Sequence, residues 1–140
     1  KKRALNFISK IFIGVGTVTF IISLFLFYLA PNLVNVVLGA KYQESIIIVQ
    51  ILSFLPFIVS LSNILGIQTM LTFNYKKAFS TILILSSIFN IVLAFILVPE
   101  FKHIGTATSV FITEVIVTIS MFLYLKGKGI RFFGGKPKDV

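Results

Sequence analysis

Residues 11–40 contain no charged side chain, and neither do residues 45–75 or 78–99; residues 104–125 contain one, Glu114. A helix rises about 1.5 Å per residue and the hydrocarbon core of a bilayer is about 30 Å thick, so about 20 apolar residues suffice to cross it. Backbone exposed to lipid must satisfy its own hydrogen bonds, which restricts such segments to helices. The sequence therefore predicts an all-α, polytopic membrane protein. Its four transmembrane helices are expected over about residues 6–30, 45–73, 78–98 and 104–125, with a basic tail over 126–140.

The chain carries 13 Lys and Arg against 4 Asp and Glu, a net charge of +9. In a soluble protein that surplus would point to nucleic acid. The placement of the charges excludes it. Lys1, Lys2, Arg3 and Lys10 precede the first span, Lys76 and Lys77 separate the second from the third, and Lys126, Lys128, Arg131, Lys136 and Lys138 follow the fourth. On the other side stand only Lys41 and Lys102, offset by Glu44 and Glu100. Basic residues near span ends stay cytoplasmic, so both termini are expected in the cytoplasm and both odd-numbered loops outside. An even number of spans likewise puts both termini on one side. With no cysteine, disulfides and thiolate chemistry are excluded. The chain begins at Lys1, not Met, and four helices make a small bundle, so a piece of a longer polypeptide is expected.

Along the first span, Ser9, Gly16, Ser23 and Ala30 recur every seventh residue. Small side chains on one face let helices approach closely in lipid, which reads as a packing seam. Pro31 is expected to stop this span, and residues 32–39 to form a short interfacial helix ended by Gly39 in the left-handed conformation. The second span contains Pro56, which removes a backbone hydrogen bond and predicts a kink. Gln50, Ser53, Ser60 and Asn63 share an arc of that helix and should face protein or water. Asn74-Tyr75-Lys76-Lys77 reads as a tight turn, with Asn74 suited to a helix C-terminus. Val98-Pro99 is expected to end the third span. The tyrosines, Tyr28, Tyr42, Tyr75 and Tyr124, fall at span boundaries, where amphipathic rings prefer to sit.

Glu114 lies near the middle of the fourth span. An ionised carboxylate at that depth costs roughly 3 kcal/mol on insertion scales. Such a group faces a bundle interior or a wet cavity. It reads as a proton- or cation-responsive group on a transport path, or as a structural acid hydrogen-bonded to Asn63, Asn90 or a neighbouring hydroxyl. Asn90, Asn63 and Gln68 are further polar groups within the spans; interhelical packing bonds explain them more simply than substrate contact. His103, the one histidine, sits in an external turn with no second metal ligand beside it and is expected to be solvated. Gly14-Val15-Gly16 lies inside a span and cannot cradle a phosphate. Lys126, Lys128 and Arg131, with Phe132 and Phe133, suit contact with anionic lipid head groups. No nucleophile–base pair can be assembled from four acids and one histidine spread over different loops, so an enzyme is not expected.

The order of motifs resembles one family. Leu38-Gly39-Ala40-Lys41-Tyr42 is similar to the Phe-Gly-x-x-Tyr signature that follows an outer span in polysaccharide flippases of the Wzx type. Ile51-Leu52-Ser53-Phe54-Leu55-Pro56 and Leu61-Ser62-Asn63-Ile64-Leu65-Gly66-Ile67-Gln68 resemble the next helix. Asn90-Ile91, Leu97-Val98-Pro99, Ile104-Gly105-Thr106-Ala107 and Ile112-Thr113-Glu114 follow in the family's order and spacing. The resemblance implies the last four spans of a MATE-like exporter of twelve or more helices in the bacterial plasma membrane. It also implies movement of undecaprenyl-pyrophosphate-linked oligosaccharides between leaflets for O-antigen, capsule or exopolysaccharide synthesis, by alternating access. The implied partners are the lipid-linked oligosaccharide, membrane lipids and a polysaccharide polymerase; no cofactor or metal is implied. A lipid II or multidrug exporter, or a small four-helix scaffold subunit, are the alternatives. One departure stands out: the family usually has glycine after the aromatic residue of the third external turn, where this chain has Lys102 after Phe101. A reshaped turn is expected there.

Overall fold

The computed structural model describes residues 2–130, and these are almost entirely helical, with no β-strand among them. Three helical stretches are long and apolar enough to cross a membrane: Asn6–Val37, Ser45–Leu71 and Lys76–Gly127.

Helix α1 spans Lys2–Val37. At 36 residues it is about 54 Å long, well beyond the hydrocarbon thickness. Pro31 lies inside it rather than at its end. Its missing N–H costs one bond to Phe27, but the turns on either side stay wound, as is common in membrane helices. Residues 32–37 are therefore the end of α1 and not a separate interfacial helix. Gly39 closes the element with φ 89° and ψ 166°, a mirror-extended conformation open to glycine, not the left-handed helical one. A single 3₁₀ turn, Ala40–Tyr42, follows.

The next crossing is built in three pieces: α2 (Ser45–Leu52), α3 (Leu55–Asn63) and a π-helical stretch (Ile64–Leu71). The first interruption has a local cause. A proline ring collides with the carbonyl four residues earlier, and four residues before Pro56 is Leu52, the last residue of α2. Pro56 then stands in the first turn of α3, where an N–H is not needed. Ser53 stabilises the joint by donating its Oγ–H to the Gln50 carbonyl at 2.7 Å. In the π stretch, bonds run i→i+5, and the buried Thr69 hydroxyl donates to the Ile64 carbonyl at 2.8 Å across the same interval.

The stretch ends in a Schellman motif. The Tyr75 N–H donates to the Met70 carbonyl at 2.8 Å and the Asn74 N–H to the Leu71 carbonyl at 3.1 Å, with Asn74 left-handed at φ 66°. The same motif closes the last helix: Ile130 N–H to Leu125 carbonyl (3.0 Å) and Gly129 N–H to Lys126 carbonyl (3.0 Å), with Gly129 at φ 76°.

Helix α4, Lys76–Gly127, has 52 residues and would measure about 78 Å if straight. It is not straight. Lys102 has φ 49° and ψ −123°, outside the helical region. The position of Gly105 shows the consequence. A Cβ there would touch the Leu97 carbonyl oxygen and lie 2.7 Å from its carbonyl carbon. In a straight helix those residues are about 12 Å apart along the axis. At the other end, the Tyr75 and Tyr124 rings meet edge to face at 5.7 Å. Between them, Phe79 and the Met121 sulfur both crowd Gly66. The element is thus an antiparallel hairpin: α4a (76–101) and α4b (103–127). Pro99 lies within α4a, and the reversal takes place at Lys102 instead of after Val98. The backbone there is close to the mirror-image corner that glycine takes freely, and a lysine adopts it at about 1–3 kcal/mol.

Packing follows the small-residue seam. Gly16, Ser23 and Ala30 of α1 are buried, and Gly16 lies against Leu61. The Thr19 and Ser60 hydroxyls hydrogen-bond at 3.0 Å, and Phe20–Phe57 and Phe27–Phe54 ring pairs flank them at 5.2 and 5.7 Å. On α4b, Gly105, Ser109, Thr113, Val117, Met121 and Leu125 recur every fourth residue as the buried face. Toward the end where Lys10, Lys76, Lys77, Lys126 and Lys128 lie exposed, Ile8, Leu65, Met70, Met121 and Leu125 form the apolar core. Most of α4a is open: Ser86 is its one buried residue, while Leu85, Phe95 and Ile96 are more than half exposed.

Candidate functional site

Glu114 is half-buried on α4b. Its main-chain carbonyl accepts the Thr118 hydroxyl at 2.8 Å, and that hydroxyl also lies 3.4 Å from the Ile58 carbonyl on α3. This link fixes the helix that carries the acid against the segment just past Pro56. Among the described residues, none of the expected structural partners, Asn63, Asn90 or a neighbouring hydroxyl, hydrogen-bonds the Glu114 carboxylate.

Asn90 lies on α4a. It is 12 residues before Lys102 and Glu114 is 12 after, so both sit about 18 Å from the turn, at one level of the hairpin. The Asn90 Oδ1 is buried yet has no hydrogen-bond partner among the described residues. An amide oxygen left so costs about 1–3 kcal/mol, which makes it an acceptor in want of a donor.

Asn63 and Gln68 lie nearer the basic end, and both are exposed. In an α-helix, residues five apart diverge by about 140°, but the π pattern joins i to i+5 and stacks them about one turn apart. The π stretch that begins after Asn63 thus lines Gln68 up with it. The polar arc expected along this crossing is split. Ser53 is buried and Ser60 partly buried against α1, while Asn63 is turned outward. No hydrogen bond among the described residues joins any two of Glu114, Asn90, Asn63 and Gln68.

Lys126 and Lys128 are exposed at the end of α4, with the Lys128 ammonium 5.7 Å from the Tyr124 ring centre. Arg131 falls outside the described residues. No group of His, Cys, Asp or Glu suited to a metal forms among the described residues.

Sequence reasoning missed a cavity of about 430 Å³ at the opposite end. The segment after α1 and the hairpin turn meet there, and Lys41, Tyr42, Gln43, Glu44, Lys102 and His103 line it with Phe101. His103 is exposed, as expected of a solvated residue, but borders this cavity. The available signal was two loops of like composition: Lys41-Tyr42 with Glu44, and Glu100-Phe101-Lys102.

Comparison with known proteins gives three relatives. Two are named "Putative O-antigen transporter": one from Escherichia coli (strain K12), 44% identical over 104 residues, and one from Shigella dysenteriae, 32% identical over 105. The third, "Capsular polysaccharide biosynthesis protein CapF" from Staphylococcus aureus, is 34% identical over 122 residues. The matches take in 74%, 75% and 84% of this chain but 25%, 26% and 29% of the relatives. No protein-family model matches the chain, and no solved structure gives a significant match.

Proposed function

Since the chain belongs with the Wzx-type polysaccharide flippases and spans about a quarter of the length of its relatives, we propose that it is the C-terminal, four-crossing portion of a transporter for lipid-linked oligosaccharides. The observation that carries this reading is the 44% identity over 104 residues to a protein named as an O-antigen transporter. In this reading α1, the Ser45–Leu71 crossing, α4a and α4b each pass the bacterial plasma membrane once. The termini and the Lys76–Lys77 turn face the cytoplasm, and Lys102 faces outside. The hairpin at Lys102 and the segregation of exposed lysines support that threading.

The carrier lipid keeps its tail in the bilayer while its polar head crosses a cavity between this portion and the rest of the polypeptide. Glu114 and Asn90, at one depth, contribute an acid and an unmet acceptor to that path; Asn63 and Gln68 extend it toward the cytoplasm. Lys126, Lys128 and Arg131 hold anionic head groups at the inner surface. A polysaccharide polymerase receives the exported unit. The intact protein should restore surface polysaccharide to cells lacking their own flippase but retaining the matching glycan synthesis. Correct insertion with no restoration would refute the reading.

A further inference from the structure

We propose that the cavity between the two external turns, the one after α1 and the one at Lys102, is a binding site for an acidic sugar, a hexuronate-type residue of the glycan leaving the membrane. This rests on the reading above that the Lys102 end faces outside. Two independent observations carry it. The first is the chemistry of the cavity. Its volume of about 430 Å³ falls within the usual range for small-molecule sites. Lys41 and Lys102 bring two positive charges against the one negative charge of Glu44. No ion pair among the described residues occupies either ammonium group. Tyr42 and Phe101, 54% and 52% exposed, present ring surface at the same place. The Gln43 amide is held by its donation to Asn35 Oδ1 at 2.7 Å, which leaves its own oxygen to accept a hydroxyl. Glu44 accepts hydroxyls and Ser45 can donate or accept. A net cationic, hydroxyl-bonding cavity with flat apolar surfaces matches a ring that carries both hydroxyls and a carboxylate. Two other cavities have a different lining. One is bordered by Ile91, Ala94, Phe95, Val98 and Pro99, another mainly by phenylalanine and aliphatic side chains of α1 and α3.

The second observation is the backbone of Lys102. With φ 49° and ψ −123°, it holds a conformation that suits glycine, and yet the position that borders the cavity is a lysine. Strain of this kind gathers at ligand clamps, where a side chain is required despite its backbone cost.

The test uses the intact protein in nanodiscs of zwitterionic lipid, with calorimetric titration of methyl glucuronide, methyl glucoside and inorganic phosphate. Glucuronide should bind more tightly than glucoside by about tenfold or more, the gain of one charge-assisted contact. It should also bind more tightly than phosphate, which lacks the sugar ring. Lys102→Gly removes the cation while easing the backbone, so it should keep the fold and lose the preference; Lys102→Arg should retain it. Equal affinity for glucuronide and glucoside, phosphate binding as tight as glucuronide, or an unchanged preference in Lys102→Gly would each overturn the proposal. Nanodiscs expose both faces and no transport is measured. A negative result therefore leaves the flippase reading standing, and failed complementation leaves a positive binding result standing.

Discussion

Replacing Gly105 with alanine tests the reversal of α4 at a single atom. The added methyl would meet the Leu97 carbonyl oxygen, with the Leu97 carbonyl carbon at 2.7 Å and the Val98 nitrogen at 3.0 Å. All three are main-chain atoms, so no rotamer change relieves the overlap. Overpacking costs about 1–3 kcal/mol, and a rigid neighbour puts this case near the top: about 2–3 kcal/mol, or about 30- to 150-fold in the folding equilibrium. Gly14→Ala is the matched control. It lies inside α1 with nothing within 4 Å of the new Cβ, so it should gain about 0.5–1 kcal/mol from restricting the unfolded chain. Both variants of the intact protein can be compared by thermal unfolding in one detergent. Gly105→Ala should melt well below the parent and Gly14→Ala at or above it. If Gly105→Ala were as stable as Gly14→Ala, the two halves of α4 could not approach as described, and the hairpin would be wrong.

Other substitutions probe separate parts of the account. Lys102→Gly should raise stability by about 1 kcal/mol in the same unfolding assay, because relief of backbone strain exceeds the entropy glycine adds to the unfolded state. Thr19→Val removes the 3.0 Å bond to Ser60 and should cost about 0.6–1.7 kcal/mol, the range seen for interhelical bonds in membranes. Glu114→Gln keeps the side-chain volume and should leave the melting temperature unchanged. Export of lipid-linked sugar, measured across a range of pH, should fall about tenfold or more, as expected for loss of a charge-assisted contact. Unchanged export would reduce Glu114 to a structural acid.

The crossings were legible in the sequence because lipid leaves the chain few choices: uncharged runs of that length become helices. The heptad of Gly16, Ser23 and Ala30 was legible too, since small residues declare a close helix contact wherever it forms. Their ends were less so. Proline suggested stops at Pro31 and Pro99, but both lie within helices, where tertiary packing and lipid outweigh one lost hydrogen bond. At Pro56 the same residue does sit beside a break, because its ring opposes the Leu52 carbonyl at a joint that Ser53 can bridge. The π stretch could not be read at all: nothing local in Ile64–Leu71 marks it, and Gly66 becomes meaningful only once Phe79 and Met121 crowd it. Asn90 and Glu114 were found as isolated polar groups, but their common depth depends on where the hairpin turns. The cavity at the Lys102 end escaped notice because its lining comes from two loops about 60 residues apart that only folding unites.

Sidedness labelling tests the central claim most directly. This segment has no cysteine, so single replacements at Lys77 and Lys102 in a cysteine-free form of the intact protein give unambiguous probes. With a membrane-impermeant thiol reagent on intact inner-membrane spheroplasts, Lys102→Cys should be labelled at once, and Lys77→Cys only after the membrane is opened. Labelling of Lys77→Cys in intact spheroplasts, or protection of Lys102→Cys, would contradict the proposed threading and with it the placement of every candidate residue described above.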